Sequence, residues 1–298
     1  MEKITLKINM RAKNDEEFSK FLLRVGNGTE KTTKDELIRL PESIVIEDSK
    51  NGQSEVELLN QVFPSIKQNA NSTEYMTERV ILATKNEYVD ELNDKLLDKF
   101  PGDEIIFHSF DKAIDDPNNY YQEEFLNKMM PNGLPPHKLK LEQNCPIMLL
   151  RNLDPSNGLC NGTRMVCKEF DKNVIKAKIT KSHHAGQEVM IPRIPLSPAE
   201  NENYPFRLQR KQFPIRLCFA MTINKAQGQT IRIVGIYLPH HVFSHGQLYV
   251  ALSRGVSTNN TRVLVKGERK QKKKGYTYTK NIVYKEVLSR ERLEKTLK

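Results

Sequence analysis

Four short apolar runs set the main constraint on what this chain can fold into: RVILAT (residues 79–84), RLCFAMTI (216–223), 231–238 and 262–265. Each is too short for an ordinary helix and lacks the alternation of a half-exposed strand, so both of its faces have to be covered. Strands of that kind pair in parallel and need crossovers between them. Residues 85–100 supply one, with Val89, Leu92, Leu96 and Leu97 at helical spacing and Pro101 and Gly102 closing it. Another lies between the last two runs, in SHGQLYVALSR (244–254), where Leu248, Ala251 and Leu252 share one helical side. The pattern predicts an α/β domain built on a parallel sheet.

Between residues 103 and 214 the pattern changes. IIFHSF (105–110) reads as a strand, 111–120 as a polar loop, 121–129 as a short helix and PNGLPP (131–136) as a turn. Strand candidates at 146–151, 162–170, 174–179 and 188–192, separated by Asn, Gly and Asp, predict a small antiparallel barrel inserted into the larger domain. Ahead of all this, NDEEFSKFLLRVG (14–26) reads as a helix capped by Asn14, with Phe18, Phe21, Leu22 and Val25 on one face. Only thirteen residues precede it, so that face must lie on a later segment or on another chain, or else stay exposed and favour aggregation. Residues 27–78 are polar, with a short amphipathic helix at VELLNQVF (56–63).

The chain has 298 residues, 38% hydrophobic and 28% charged, with a net charge of +10. That charge is uneven: residues 261–298 hold 13 Lys/Arg against 4 Asp/Glu, including Lys272, Lys273 and Lys274, and a closing helix is predicted over 287–297. A polyanion partner is permitted rather than demanded. No run of 18 apolar residues and no signal-like N-terminus occur, so a membrane span is not expected and the cell interior is. Cys145, Cys160, Cys167 and Cys218 match neither a zinc knuckle nor a disulfide framework and read as free thiols. The pairs His183–His184 and His240–His241 lack partners at metal-ligand spacing.

Three segments carry candidate chemistry. TINKAQGQT (222–230) follows the strongest apolar run, and its amides, hydroxyls, lysine and glycine suit a phosphodiester backbone. The bland alternative is a polar turn from strand to helix. Arg254 ends an apolar helix, where it either answers the helix dipole or acts as an arginine finger toward phosphoryl oxygens. Arg11, considered alone, is a solvated surface residue.

The stretches NMR (9–11), PIMLLRNL (146–153), GLCNGTR (158–164), PRI (192–194), RKQFP (210–214), FAMTINKAQGQT (219–230) and FSHGQLYVALSR (243–254) resemble the petite-integration-frequency (Pif) family of superfamily 1B DNA helicases, especially relatives in Helitron-type rolling-circle transposons. The likeness runs from Asn9 to Val265, in family order and spacing. It implies an α/β fold in which a RecA-like domain, termed 2A, covers 79–136 and 195–266 and carries an SH3-like 2B insert at 137–194. Residues 1–78 would be the end of domain 1A with a linker, and 267–298 a basic extension. It further implies that Arg11 and Arg254 reach a nucleotide in the interdomain cleft, with Gly228 near it, and that Thr222, Asn224, Lys225 and Gln227 touch single-stranded DNA. His245 would orient the loop bearing Arg254.

The departures from the family pattern matter equally. No G-x-x-x-x-G-K-[ST] segment occurs in residues 1–298, and the Asp-Glu pairs at 15, 35, 90 and 103 border polar segments rather than strand ends. The resemblance implies ATP and Mg2+ for the intact enzyme, yet this chain alone is expected to hold neither tightly. The expected partners are single-stranded DNA and an N-terminal helicase half, in the same longer polypeptide or a separate chain. A monomer is expected, with the nucleus as location and the mitochondrion as the family's alternative. The competing expectation is a non-catalytic single-strand-binding module or a degenerate transposon-derived fragment. Phe110, Phe125 and Phe206 are candidates for base stacking or for core.

Overall fold

Strand Ile233–Leu238 lies at the centre of a five-stranded sheet in the order Ala220–Thr222, Arg79–Ala83, Ile233–Leu238, Thr261–Val265, Val45–Ile46, with every pairing parallel. The computed structural model describes residues 9–33, 36–49, 52–118, 120–198, 204–266, 272–273 and 276–285, and the helix expected over 287–297 lies outside them. Val80, Ile81, Leu82, Val234, Ile236, Val263 and Leu264 are all fully buried, which is why their segments show no polar alternation. Helix Gln53–Val62 packs on the sheet at Gly235, where an added Cβ would stand 2.7 Å from Val62 Cγ2 and 3.1 Å from Ile81 Cγ1.

Helix Glu16–Gly26 turns its whole apolar face inward: Phe18, Phe21, Leu22 and Val25 are all buried. It packs on helix Gln247–Leu252, and a Cβ on Gly26 would come within 2.9 Å of the Tyr249 ring. The exposed, aggregation-prone face considered from sequence is therefore covered by a later part of the same chain. The cap also differs from expectation. Asp15, not Asn14, ends the helix: its Oδ1 accepts from Phe18 N at 3.0 Å, while Oδ2 accepts from the amide and hydroxyl of Thr258 at 2.8 and 2.6 Å. Burial pushes the Asp15 carboxyl up, but the Thr258 and Phe18 donors outweigh it and hold it below the usual range.

Asp15→Ala is expected to cost about 1–2 kcal/mol in urea unfolding, while Asp15→Asn retains most of the capping stabilisation. Because the folded state lowers this pKa, the carboxylate's contribution is full above the ordinary aspartate range and is lost as pH falls through the lowered value. The gap between wild type and Asp15→Ala should then close in acid; a gap constant from neutral pH into acid contradicts this account.

The C-terminal region is not simply a solvated basic extension. Strand Tyr276–Lys280 pairs antiparallel with Leu37–Arg39 and with Lys272–Lys273, and Thr279 is fully buried. Beyond it, Asn281 Nδ2 donates to Val25 O at 2.9 Å, and Tyr284 N donates to His245 Nδ1 at 2.9 Å with the two rings stacked.

The insert is antiparallel. Its five-stranded sheet runs Glu188–Pro192, Val174–Ile179, Arg164–Phe170, Pro146–Leu149, Ile215–Leu217, with a register shift between Cys167 and Glu169. Beside it stand a three-stranded sheet, Ile194–Leu196, Leu208–Gln212, Phe110–Ala113, and a two-stranded ladder, Ile105–His108 with Lys138–Leu141. Arg210 and Asp111, partners across the three-stranded sheet, are both completely buried.

Contacts group the chain into two units: Met1–Pro64, Glu78–Leu92 and Ala220–Lys298 form one, Ser65–Thr77 and Asn93–Phe219 the other. These lines differ from the sequence-based boundaries in three places, the first being Ser65–Thr77, which group with the antiparallel unit and not with the rest of residues 1–78. Residues 45–46 are an edge strand of the parallel sheet, so the region before residue 64 is integral to that unit. Residues 93–136 and 195–219 group with the antiparallel insert because their strands pair with its own, Ile105–His108 with Lys138–Leu141 and Ile215–Leu217 with Pro146–Leu149. The run 216–223 is also not one strand. It divides at Cys218 and Phe219 into Ile215–Leu217 of the antiparallel sheet and Ala220–Thr222 of the parallel sheet.

Candidate nucleotide and single-strand interface

The loop after strand Ala220–Thr222 is a series of tight turns rather than the start of a helix. Ile223 N still donates to Ala83 O at 3.0 Å, then Ala226, Gln227 and Gln229 donate back to Thr222, Asn224 and Ala226 carbonyls at 3.3, 3.2 and 3.1 Å. Ile223 and Ala226 are buried and anchor the loop, whereas Asn224, Lys225, Gln227 and Gly228 are exposed and Thr222 is half-buried. Gly228 has φ +83°, a conformation that strains other residues, and a Cβ there would meet nothing within 4 Å. An open, glycine-tipped loop flanked by amides, a hydroxyl and a lysine offers donors to a phosphodiester strand.

Both sequence-predicted arginines arrive at this loop. Arg11, ahead of the first helix, donates from Nε to Thr230 Oγ1 at 2.9 Å and from Nη2 to Gly228 O at 3.4 Å. Its own turn is held by Asn9, whose Oδ1 accepts from Arg11 N and Ala12 N at 3.1 and 3.4 Å. Arg254, at the end of helix Gln247–Leu252, is only 5% exposed. Its Nη1 donates to the carbonyls of Gln229 and Ala226 at 2.9 and 3.3 Å, its Nε to Val250 O at 2.9 Å and its Nη2 to Ser253 Oγ at 2.8 Å. Ile231 N donates to Arg254 O at 3.2 Å, so backbone and side chain grip the same loop. The guanidinium thus bonds one carbonyl of its helix, Val250 O, and also clamps the loop, combining a capping role with a placement beside Arg11.

Burial, then the charge of Arg11, pushes the Arg254 pKa down to about 10, which leaves it protonated at neutral pH. Among the described residues no carboxylate lies within ion-pair distance of either arginine; their partners are carbonyls and hydroxyls. Two guanidinium groups meeting on one loop, with no carboxylate beside them among the described residues, make a local positive potential that a phosphate would neutralise. Sequence reasoning missed Thr230 and the carbonyls of Ala226, Gly228 and Gln229 as the groups that hold the arginines. Backbone carbonyls carry no sequence signal.

Set against a nucleoside triphosphate with magnesium, the described residues fit in part. The guanidinium groups suit phosphate oxygens, but no group of three or more His, Cys, Asp or Glu among the described residues is arranged to hold a metal ion. No helix among them is long and apolar enough to cross a membrane. Of the aromatic candidates, Phe206 is core, 6% exposed with Leu126 and Leu208 and 4.2 Å from the Tyr121 ring, whereas Phe110 and Phe125 are 62% and 51% exposed.

Residues 124–170 match the family model described as DNA helicase Pif1, 2B domain. The ATP-dependent DNA helicase PIF1 of Xenopus laevis is 31% identical over 183 residues, covering 61% of this chain and 27% of that protein. ATP-dependent DNA helicase RRM3 of Saccharomyces cerevisiae is 46% identical over 79 residues, covering 26% of this chain and 10% of that protein. The crystal structure of Pif1 helicase from Candida albicans superposes with a TM-score of 0.62 at 21% identity, covering 99% of this chain and 61% of that one. The Bacteroides Pif1 helicase crystallised with ADP-AlF3 and single-stranded DNA gives 0.59 at 20% identity, covering 98% and 56%. The fold is the α/β architecture of a RecA-like helicase core with a smaller antiparallel insert, as in those structures. The chain is homologous to Pif-type helicases and spans roughly a quarter of the X. laevis PIF1 length, 27%.

Proposed function

From that homology we propose that the chain is the C-terminal portion of an ATP-dependent, superfamily 1B DNA helicase that moves along single-stranded DNA. It supplies two guanidinium groups and a strand-gripping loop, while the triphosphate cradle and magnesium site come from an N-terminal half, in the same polypeptide or a separate one. The observation that carries this reading is the meeting of Arg11 and Arg254, both without carboxylate partners among the described residues, on the 226–230 loop. Bound triphosphate would supply the energy of the motor. This chain's part is to place positive charge at the nucleotide side of the loop and phosphate-seeking donors, Thr222, Asn224, Lys225 and Gln227, on its other side.

The finer assignments belong to the same proposal: 2A and 2B roles for the parallel and antiparallel parts, 5′-to-3′ movement, and monomeric action in the nucleus. The processes served would be repair, recombination, telomere maintenance or rolling-circle transposition of the Helitron type. A second reading, a non-catalytic single-strand-binding module, draws on the same exposed loop.

One experiment separates the two. Alone, with single-stranded DNA present, the chain is expected to release phosphate at background, and turnover above about 0.1 per second, against a typical enzyme's 1 per second or more, would defeat that expectation. Adding an N-terminal Pif-type half should restore DNA-stimulated hydrolysis. Failure of complementation alongside steeply salt-dependent oligonucleotide binding would favour the binding module.

A further inference from the structure

Outside the loop and its arginines, the antiparallel unit contains a cavity of about 490 Å³ beside helix Glu123–Lys128. Asn127, Pro136 and His137 form part of its wall, Met130, 55% exposed, flanks it, and Lys128 and Lys138 are exposed at it. Among the described lining residues Glu124 is the single carboxylate against those two lysines. We propose that this cavity takes one unstacked base of a DNA single strand, with the His137 ring as a stacking surface, the Asn127 carboxamide reading the base edge and Lys128 and Lys138 holding the flanking phosphates.

Three features point to a base. The volume lies within the range of small-ligand sites, where a few polar groups stand among apolar walls. Next, the Asn127 Oδ1 is enclosed and has no hydrogen-bond partner among the described residues. Rotation of that carboxamide exchanges its oxygen and its NH2 without changing its shape, so no internal bond fixes which of the two it turns toward a base edge in the cavity it lines.

Finally, His137 is held in place. Ser109 Oγ donates to Asp111 Oδ1 at 2.7 Å, so its contact of 2.8 Å with His137 Nδ1 requires the imidazole to donate and fixes the Nδ1–H tautomer. The His108 ring packs edge-on at 5.4 Å. Burial lowers the His137 pKa, with Asp111 partly opposing it, which favours the neutral ring. A fixed, neutral ring is suited to stacking on a base, as aromatic and histidine side chains do in single-strand recognition.

The inference rests on the reading that the chain binds single-stranded DNA, and its test keeps the two apart. With the full chain, oligonucleotide affinity is measured by fluorescence anisotropy for a normal strand and for one of equal length made of abasic sites. In parallel, saturation-transfer NMR reports on free deoxyadenosine and deoxycytidine. The expected result is about tenfold weaker binding of the abasic strand, matching the energy of stacking one base, together with nucleoside signals that report contact.

Asn127→Leu should abolish both effects and leave the salt-dependent affinity in place. It removes an unsatisfied oxygen, so its melting temperature should be unchanged or higher, and loss of folding cannot explain the result. His137→Phe, which keeps a stacking ring, should retain the discrimination against abasic strands. Equal affinity for both strands without nucleoside contact overturns the pocket and leaves strand binding standing. Nucleoside contact without strand binding overturns the strand reading and leaves the pocket. Nucleoside contact that persists undiminished in Asn127→Leu overturns the assignment of this cavity.

Discussion

Arg210→Met is expected to destabilise the antiparallel unit by about 3–5 kcal/mol, read as early loss of hydrogen-exchange protection in strands Phe110–Ala113 and Leu208–Gln212 during urea unfolding. Both members of the Arg210–Asp111 pair are fully buried, with Nη2 to Oδ2 at 2.7 Å and Nε to Oδ1 at 2.9 Å. Removing the guanidinium leaves a buried carboxylate whose remaining described donor is the Ser109 hydroxyl. It also strips donors from three carbonyls, because Arg210 bonds Pro135 O at 3.0 Å and Leu126 O and Met129 O at 3.2 Å each.

The double change Arg210→Met with Asp111→Leu distinguishes the two contributions. If the charge pair were everything, the double variant would regain wild-type stability, as buried ion pairs replaced by apolar groups often do. Here recovery should be partial, because the end of helix Glu123–Lys128 and the Pro135 turn stay without their donors. Full recovery would refute the carbonyl-clamp role, and a loss below about 1 kcal/mol in the single variant would refute the prediction itself.

None of that pair was legible in advance. Arg210 and Asp111 stand 99 positions apart, and the sequence around Asp111 reads as polar loop while Arg210 opens the RKQFP stretch noted only for its family resemblance. The legible features were those governed by local periodicity. The apolar face of Phe18, Phe21, Leu22 and Val25, the Arg79–Ala83 strand and the insert strands Pro146–Leu149, Arg164–Phe170, Val174–Ile179 and Glu188–Pro192 appear where spacing predicted, whereas Phe110–Ala113 forms a strand in what reads as a polar loop and Lys138–Leu141 and Leu208–Gln212 carry no such signal. Residues 216–223 show the limit: an apolar run signals burial, and burial in one sheet reads the same as burial in two, so the break at Cys218 and Phe219 leaves no mark.

The tail shows another limit. YTYTK alternates as a strand should, but the surrounding lysines dominate the composition, and its partner Leu37–Arg39 is remote in sequence. At the site, the arginines and the loop were identifiable from the family resemblance. What joins them was not, since Arg254 works through carbonyls of Ala226, Gln229 and Val250 that any residue would present.

Arg254→Lys, assayed with the complementing N-terminal half, is expected to lower DNA-stimulated turnover by roughly 10³-fold or more, the range known for arginine fingers. Charge alone cannot rescue it. Even with its pKa pushed down to about 10 by burial and by Arg11, Arg254 is cationic at neutral pH, and so is lysine. What lysine lacks is the planar fork that spans Val250 O, Gln229 O, Ala226 O and Ser253 Oγ at once.

The same substitution should therefore loosen the 226–230 loop and weaken oligonucleotide binding by the chain alone, where no nucleotide is involved. Arg11→Lys gives the contrast: Arg11 makes two bonds to the loop, one of them at 3.4 Å, so it should reduce turnover in the complemented enzyme while changing strand affinity little. If Arg254→Lys lowers turnover and leaves strand affinity untouched, the guanidinium serves the nucleotide side only. If it weakens the strand and spares turnover, Arg254 is a loop clamp, and the motor reading loses the group it depends on.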